Sequence, residues 1–350
     1  MANILGINTG EAGWFEAKAA IEKFYNDGGT HLIVTPNPEI ILSAQKDEEL
    51  FYLLNSADLS LADGFGLKLA AKLSGQKLKR LTGADLLPYL LSEADAKKRK
   101  IVIIKPLNGL SKDEDIASVL KEKYPQIVPL LISAEKQAFA KSDDCQKIAA
   151  FQADLAICLF GSPEQEKYLH DLQTKIKNPP LAAGLGGAFD FLSGRIKRAP
   201  AFMRFMGMEW FWRLCKQPSR WRRIWRATFV FTVKILKWIF IMPYAYRPNV
   251  AVLMYRQTEK GKKIFIVERQ GQPDHWQLPQ GGLDGLDLIS AGIKEIKEES
   301  GADKLKVIAA YKNLYTYRFD KENGKYKKSS KQSRHFGYRG QKQGLLIVEF

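Results

Sequence analysis

Over residues 1 to about 195, short apolar runs alternate with amphipathic helical patterns. That rhythm suits a parallel sheet with helices on both faces, because strands buried on both sides need cover on both. The predicted strands are His31 to Thr35, Leu59 to Ala62, Lys100 to Ile104, Ile127 to Ile132 and Ala153 to Phe160. Helical patterns lie between them at Pro38 to Asn55, Ala84 to Ala96 and Lys112 to Lys123. In such sheets ligands bind beyond the carboxyl ends of the strands. The polar clusters that follow the apolar runs are therefore the candidate site.

The rhythm stops near residue 195. From there to residue 226, Arg195, Lys197, Arg198, Arg204, Arg213, Lys216, Arg220, Arg222, Arg223 and Arg226 stand against a single acid, Glu209. Trp210, Trp212, Trp221 and Trp225 crowd the same stretch, and an apolar segment follows from Ala227 to Tyr246, broken by Lys234 and Lys237. A spanning helix needs about 20 apolar residues with few charges, which makes this segment marginal. Indole rings and basic groups together suit a lipid headgroup layer, so an interfacial helix is expected, with a true span or a packed helix left open.

From Arg247 the pattern turns β-rich, with strands at Val250 to Tyr255 and Lys263 to Glu268, a charged helix from Leu288 to Ser300 and a strand-like Leu345 to Phe350. At 350 residues the chain is long enough for two domains. The expected division is an α/β domain at 1–195, a basic, Trp-rich membrane-associating appendage and linker at 196–246, and a second α/β domain at 247–350.

The formal charge of +16 predicts anionic partners. Basic residues joined to an apolar segment point to a membrane surface rather than to nucleic acid, which is read by aromatics set on a sheet. Cys145, Cys158 and Cys215 show neither metal-ligand nor disulfide spacing and are expected as buried, reduced thiols. The first residues, Met-Ala-Asn-Ile-Leu-Gly, lack a basic stretch followed by an apolar run. The expected location is therefore cytoplasmic and peripheral, on the inner face of the membrane.

Four polar clusters mark the front domain. Thr35 and Asn37 follow the apolar run His31 to Val34, Asp63, Gly64 and Gly66 follow Leu59 to Ala62, and Gly161 to Glu166 follow the run ending at Phe160. Gly184 to Gly187 forms a glycine turn before Ala188 to Leu192, where free backbone amides suit a phosphate. Singly, these are ordinary turn and cap chemistry. Together and in this order they resemble the WecG/TagA/CpsF family of bacterial glycosyltransferases over most of residues 1 to 240. The matching stretches are Val34-Thr35-Pro36-Asn37, Ala62-Asp63-Gly64-Phe65-Gly66, Gly161-Ser162-Pro163-Glu164-Gln165-Glu166, Gly184 to Gly194, and Glu209-Trp210 through Arg223.

The resemblance implies a Rossmann-like domain that moves N-acetylmannosamine, or a related N-acetylhexosamine, from a UDP-sugar to a polyprenyl-diphosphate-linked saccharide of the cell envelope. It implies inversion and no cofactor for the transfer. Asp63 is the implied base, since a sugar hydroxyl needs its proton removed as the donor bond breaks. Thr35 and Asn37 would hold sugar hydroxyls, Gln165 and Glu166 the nucleotide, and the backbone at Gly64 and Gly186 would border the substrate. Arg213, Arg220 and Arg223 would neutralise the diphosphate; their offsets of seven and three fit one helical face, which Pro218 complicates. The chain departs from the family at Lys105-Pro106-Leu107-Asn108-Gly109, where a Gly-Gly turn is usual, which puts that loop's ligand contact in question.

In the rear domain Lys-Glu-Ile-Lys-Glu-Glu-Ser-Gly occupies 294–301, so that Glu295, Glu298 and Glu299 share one helical face. Like charges so placed call for a cation, and a hard divalent metal is the natural one. Upstream stands Trp276-Gln277-Leu278-Pro279-Gln280-Gly281-Gly282. Turn and helix are similar to the Nudix hydrolase signature, and with Gly340-Gln341-Lys342-Gln343 to its RNA-pyrophosphohydrolase and diadenosine-polyphosphate branch. This implies Mg²⁺ (or Mn²⁺) held by Glu295, Glu298 and Glu299, a turn at Gly281 and Gly282, and water attack on a nucleoside diphosphate derivative. The box departs at Lys294, where arginine is usual, and at Leu286, where glutamate is usual, unless Asp287 substitutes. The family usually continues beyond a strand such as Leu345 to Phe350, which leaves truncation open. Two alternatives stand beside the transferase: a Mg-dependent Nudix pyrophosphohydrolase as the main activity, or a non-enzymatic nucleic-acid binder.

Overall fold

The computed structural model describes residues 1–350 except 11, 138, 217, 269–273, 320, 323–324 and 327–336, together with the side chains at 213, 321, 322, 325 and 326. Two compact units result, Met1–Leu236 and Lys237–Phe350.

The first unit opens with a hairpin, β1 (Ala2–Ile4) and β2 (Ile7–Thr9), followed by α1 (Trp14–Asn26). Then come β3 (Leu32–Val34), α2 (Pro38–Ala44), α3 (Glu48–Ser56), β4 (Leu59–Ser60), α4 (Phe65–Leu73) and α5 (Gly83–Ala96). The remaining sheet elements are β5 (Lys100–Pro106), α6 (Asp113–Lys123), β6 (Val128–Ala134), α7 (Ser142–Phe151), β7 (Leu155–Cys158), α8 (Glu164–Lys175) and β8 (Leu181–Gly184).

β3 to β8 form one parallel sheet in the order β4-β3-β8-β7-β5-β6. The interior strands are buried on both faces, as their unbroken apolar runs require. Ile101, Ile103, Leu155 and Ile157 pack on one face with Leu86, Leu90 and Leu91 of α5, Ile21 of α1 and Ile116 of α6. The alternate residues Val102, Ile104, Ala156 and Cys158 point to the other face. α8 packs along β3, β7 and β8 through Tyr168, Leu169 and Leu172.

The expected helix from Pro38 to Asn55 is two helices. Asp47 ends the apparent continuity, because its carboxylate accepts from the Leu50 amide at 3.0 Å and starts α3 afresh. β8 escaped prediction because Leu-Ala-Ala-Gly has little strand character; its burial between neighbouring strands makes it one.

Beyond α9 (Ala188–Leu192) the chain makes α10 (Ala201–Phe205), α11 (Glu209–Lys216), a 3₁₀ turn at Pro218–Arg220, α12 (Trp221–Trp225), a π turn at Arg226–Val230 and α13 (Phe231–Phe240). The single helical face expected for Arg213, Arg220 and Arg223 is thereby broken at Pro218, which cannot donate to the helix ladder. Among the described residues no helix is long and apolar enough to cross a membrane. Cys145 and Cys158 are buried as expected, but Cys215 is exposed, because α11 carries no core over that side.

The second unit contains β9 (Tyr246–Thr258), β10 (Gly261–Ile264), β11 (Val267–Glu268), β12 (Trp276–Gln277), β13 (Gln280–Gly282), α14 (Leu288–Ser300), β14 (Lys306–Arg318), β15 (Lys321–Glu322), β16 (Lys325–Tyr326) and β17 (Gly340–Glu349). Its main sheet runs β10-β9-β17-β14, with β13 also on β9, and is mixed because β9 and β17 are parallel. Val250, Val252, Met254, Leu346 and Val348 meet Leu288, Ala291 and Ile296 of α14 in its core.

Leu90 is fully buried between α5 and the sheet. Leu90→Ala should lower the unfolding free energy of the first unit by about 2–5 kcal/mol, read from urea unfolding followed by tryptophan fluorescence.

Candidate active site

The order β4-β3-β8-β7 makes neighbours of four strands scattered through the chain. The loops after them carry Asp63, Thr35 with Asn37, Gly186, and Gly161 to Gln165, and all open into one cavity of about 1070 Å³. Gly64, Gly66, Arg220 and Arg223 line it too. Glu166 lies outside the lining, and the side chain of Arg213 lies outside the described residues.

Each loop is tied to its neighbour. The Thr35 hydroxyl donates to the Gly184 carbonyl at 3.3 Å, joining the β3 and β8 ends. Asn37 caps α2, its side-chain oxygen accepting from the Ile40 amide at 2.9 Å. The Asp63 amide donates to the Pro36 carbonyl at 2.8 Å, and the Asp63 carboxylate accepts from the Gly83 amide at 3.3 Å. Gly64 sits at a φ of +117°, which favours glycine, and a Cβ on Gly66 would lie 2.9 Å from Pro38. The Asp-Gly-Phe-Gly turn therefore rests directly on the Thr-Pro-Asn-Pro turn.

Gln165 clamps the other pair of loops. Its carbonyl oxygen accepts from the amides of Gly161 at 3.0 Å and Gly186 at 2.9 Å, while its amide nitrogen donates to Glu166 at 2.8 Å. Glu166 is buried beneath it, and burial pushes its carboxyl above the usual range despite the bond from Gln165. Arg223 forms a forked pair with Glu39, at 2.9 Å through both Nε and Nη2.

Sequence reasoning missed several groups. Arg80 lines the cavity and binds Glu209 and the Arg204 carbonyl, both at 3.0 Å. Arg198 reaches Asp85 at 2.7 Å and the Thr82 hydroxyl at 3.1 Å. Asp85 is pushed up by burial but held below its usual range by Arg198 and Thr82. A charged Arg80-Leu-Thr-Gly-Ala-Asp85 stretch after an apolar helix was the available signal. Pro106 to Leu110, the departing loop, also lines the cavity, while Lys105 is buried and paired with Asp113 at 2.8 Å.

In the second unit Glu295 lies half-buried against Gly281, where any Cβ would overlap its carboxylate; Gly282 abuts Arg247 and Asp284. Burial, then Glu298 and Glu299, raise the Glu295 carboxyl; burial and Glu298 raise Glu299. Lys294 pairs weakly with Glu298 at 3.6 Å. Asp287 caps α14, accepting from the amides of Ile289 at 3.0 Å and Ser290 at 3.1 Å. Gln343 donates to Asn249 at 3.0 Å and to Gln280 at 2.8 Å, joining the turn to β17 and β9. Among the described residues no group of three acidic, histidine or cysteine side chains converges as a metal cage.

Residues 2–243 match the model of the glycosyl transferase WecG/TagA/CpsF family. The chain belongs to that family. Residues 245–349 match the NUDIX domain model. Over 210 residues the chain is 33% identical to an N-acetylglucosaminyldiphosphoundecaprenol N-acetyl-beta-D-mannosaminyltransferase of Bacillus subtilis, covering 58% of this chain and 79% of that one. The protein of the same description from Bacillus spizizenii is 35% identical over 195 residues, 55% of this chain and 74% of its own. Among solved structures, a C. elegans Ap4A hydrolase is 19% identical, covers 30% of this chain and 68% of its own, and has a TM-score of 0.21. The chain is thus a glycosyltransferase-family enzyme carrying a Nudix domain.

Glu166 yields a pH test. Its folded-state pKa is raised, so stability is full below the unfolded value of about 4.3 and falls as pH rises and the unfolded chain ionises first. Glu166→Gln removes that loss. Its melting temperature should exceed the wild type's at pH 7, with the gap closing towards pH 4; a gap that widens on acidification would contradict burial of a neutral carboxyl.

Proposed function

We propose that the first unit transfers N-acetylmannosamine, or a closely related N-acetylhexosamine, from a UDP-sugar to a polyprenyl-diphosphate-linked saccharide. The observation that carries this reading is the convergence of four loops on a cavity bordered by the Asp63 carboxylate. The names of the two Bacillus relatives support the sugar and the lipid-linked acceptor. Asp63 accepts the proton of the acceptor hydroxyl as its oxygen attacks the anomeric carbon; the bond to the diphosphate breaks on the opposite face, and UDP leaves. Thr35 and Asn37 border the sugar, and the amides around Gly186 and the guanidiniums of Arg220 and Arg223 face the departing diphosphate. Gln165 and Glu166 support the nucleotide end by fixing the loops that touch it. Arg213 completes the basic set in this reading.

The helical segment beyond Arg220 supplies the membrane contact, on the cytoplasmic face. Trp221, Trp225, Phe229, Val233 and Leu236 recur every three or four residues and are all exposed. Arg222 and Arg226 flank them, as suits an anionic headgroup layer.

In the second unit Glu295, Glu298 and Glu299 offer all-oxygen ligands of the kind Mg²⁺ or Mn²⁺ takes, although in this arrangement they do not converge as a cage, and Glu298 and Glu299 raise the Glu295 carboxyl. Such a metal, when bound, would polarise a phosphoryl oxygen and activate water. The protein's own part is to hold the glutamates on α14 against the Gly281-Gly282 turn. The substrate class is a nucleoside diphosphate derivative, and the hydrolase is accessory to the transferase.

Asp63→Asn should lower transfer from UDP-N-acetylmannosamine to a lipid-diphosphate acceptor by about 10²–10⁴-fold. EDTA should leave transfer intact yet stop phosphate release from nucleoside diphosphate derivatives, as should Glu298→Gln. Metal-dependent phosphate release with no sugar transfer would make the Nudix activity the main one. Paired Trp225→Glu and Phe229→Glu substitutions should abolish sedimentation with anionic vesicles; unchanged sedimentation would remove the helical segment from the membrane contact.

A further inference from the structure

Two parts of the cavity lining differ in chemistry. One part of the lining holds Thr35, Asn37, Asp63 and Gly186. The other is walled by Ile40 of α2, Leu69 and Leu73 of α4, and Ala227, Phe231 and Ile235 of the facing helical segment. Leu69 and Leu73 lie one helical turn apart and remain 44% and 46% exposed although they line a concave surface. An apolar wall left open in this way marks a ligand rather than a core.

The order of groups along the cavity narrows the ligand. Arg220 and Arg223 border it alongside this apolar wall. α4 starts directly after the Asp63-Gly64 turn, so Leu69 and Leu73 stand about 6 and 12 Å along its axis from its first residue, Phe65. That spacing leaves a sugar and a diphosphate between the base and the apolar wall. The facing segment lines the cavity with Ala227, Phe231 and Ile235, of which Phe231 and Ile235 are already covered by the protein at 3% and 2% exposure and so form the closed base of the cleft, while Trp225, Phe229 and Val233 are exposed.

We infer that the cleft between α4 and residues 224–235 holds the first isoprene units of the acceptor lipid, drawn out of the bilayer while the diphosphate meets the arginines. This rests on the transferase reading and adds a subsite to it: the enzyme grips the lipid as well as the sugar. Polar base, cationic collar and apolar cleft follow the sequence of hydroxyl, diphosphate and hydrocarbon in a polyprenyl-diphosphate sugar, and no free nucleotide or soluble saccharide has that order.

The test compares two acceptors in detergent solution, so that membrane attachment plays no part: N-acetylglucosaminyl diphosphate carrying a prenyl chain, and the same head group ending in a methyl. The readout is the ratio of their kcat/KM values. Wild type should prefer the prenyl acceptor, and Leu73→Gln and the cleft-filling Leu73→Trp should each reduce that preference by about tenfold. Residual transfer to the methyl acceptor reports that the variants fold. A wild type that uses both acceptors equally, or variants that keep the wild-type ratio, would overturn the cleft while leaving the transferase standing. Use of neither acceptor by the wild type would overturn the transferase reading and the cleft with it.

Discussion

The parallel pairing of β3 with β8, Leu32 with Ala182 and Ile33 with Ala183, is the contact on which the site depends. It brings together loops 149 positions apart, close enough for the Thr35 hydroxyl to reach the Gly184 carbonyl. With β4 on one side and β7 on the other, four carboxyl-terminal loops share one opening. None could assemble a site alone, because each is a short turn whose polar groups are half spent on its own backbone. Gln165 shows the consequence: a side chain that looks like a ligand contact devotes its acceptor to the Gly161 and Gly186 amides and so sets the floor of the cavity.

Charge organises the appendage around that opening. Arg80–Glu209 and Arg198–Asp85 are partly shielded pairs that join the basic segment to the sheet domain. Arg223–Glu39 is more open, with the arginine 59% exposed, and a surface pair of this kind contributes about 0–1 kcal/mol. The same forked geometry matches a diphosphate, which carries more charge than one carboxylate. Glu39 thus keeps a guanidinium at the cavity rim at little energetic cost. Pro218 interrupts the segment before Arg220, and beyond it Arg220, Arg223, Ala227, Phe231 and Ile235 all line the same cavity.

The second unit follows a different logic, in which a helix face is loaded with like charge and held against a glycine turn. Glu295 has almost no room beyond the missing side chain of Gly281. Burial and two neighbouring carboxylates raise its pKa. Gln280, Asn249 and Gln343 tie that turn to the central strands by hydrogen bonds rather than by packing.

What the sequence by itself determined is whatever repeats locally. The alternation of apolar runs and helices in the first 195 residues, the strand-end positions of Thr35 and Asp63, and the glutamate face of α14 follow from periods of two and 3.6 residues. Tertiary structure decided what those residues meet. Leu181–Gly184 is a strand only because its neighbours bury it, Asp47 and Asp287 are caps only because helices begin there, and Cys215 lies on an exposed side of α11. The roles of Arg80, Arg198 and the Pro106 to Leu110 loop were equally hidden. Strand order is set by pairing between distant segments, and no local period encodes which strand lies beside which.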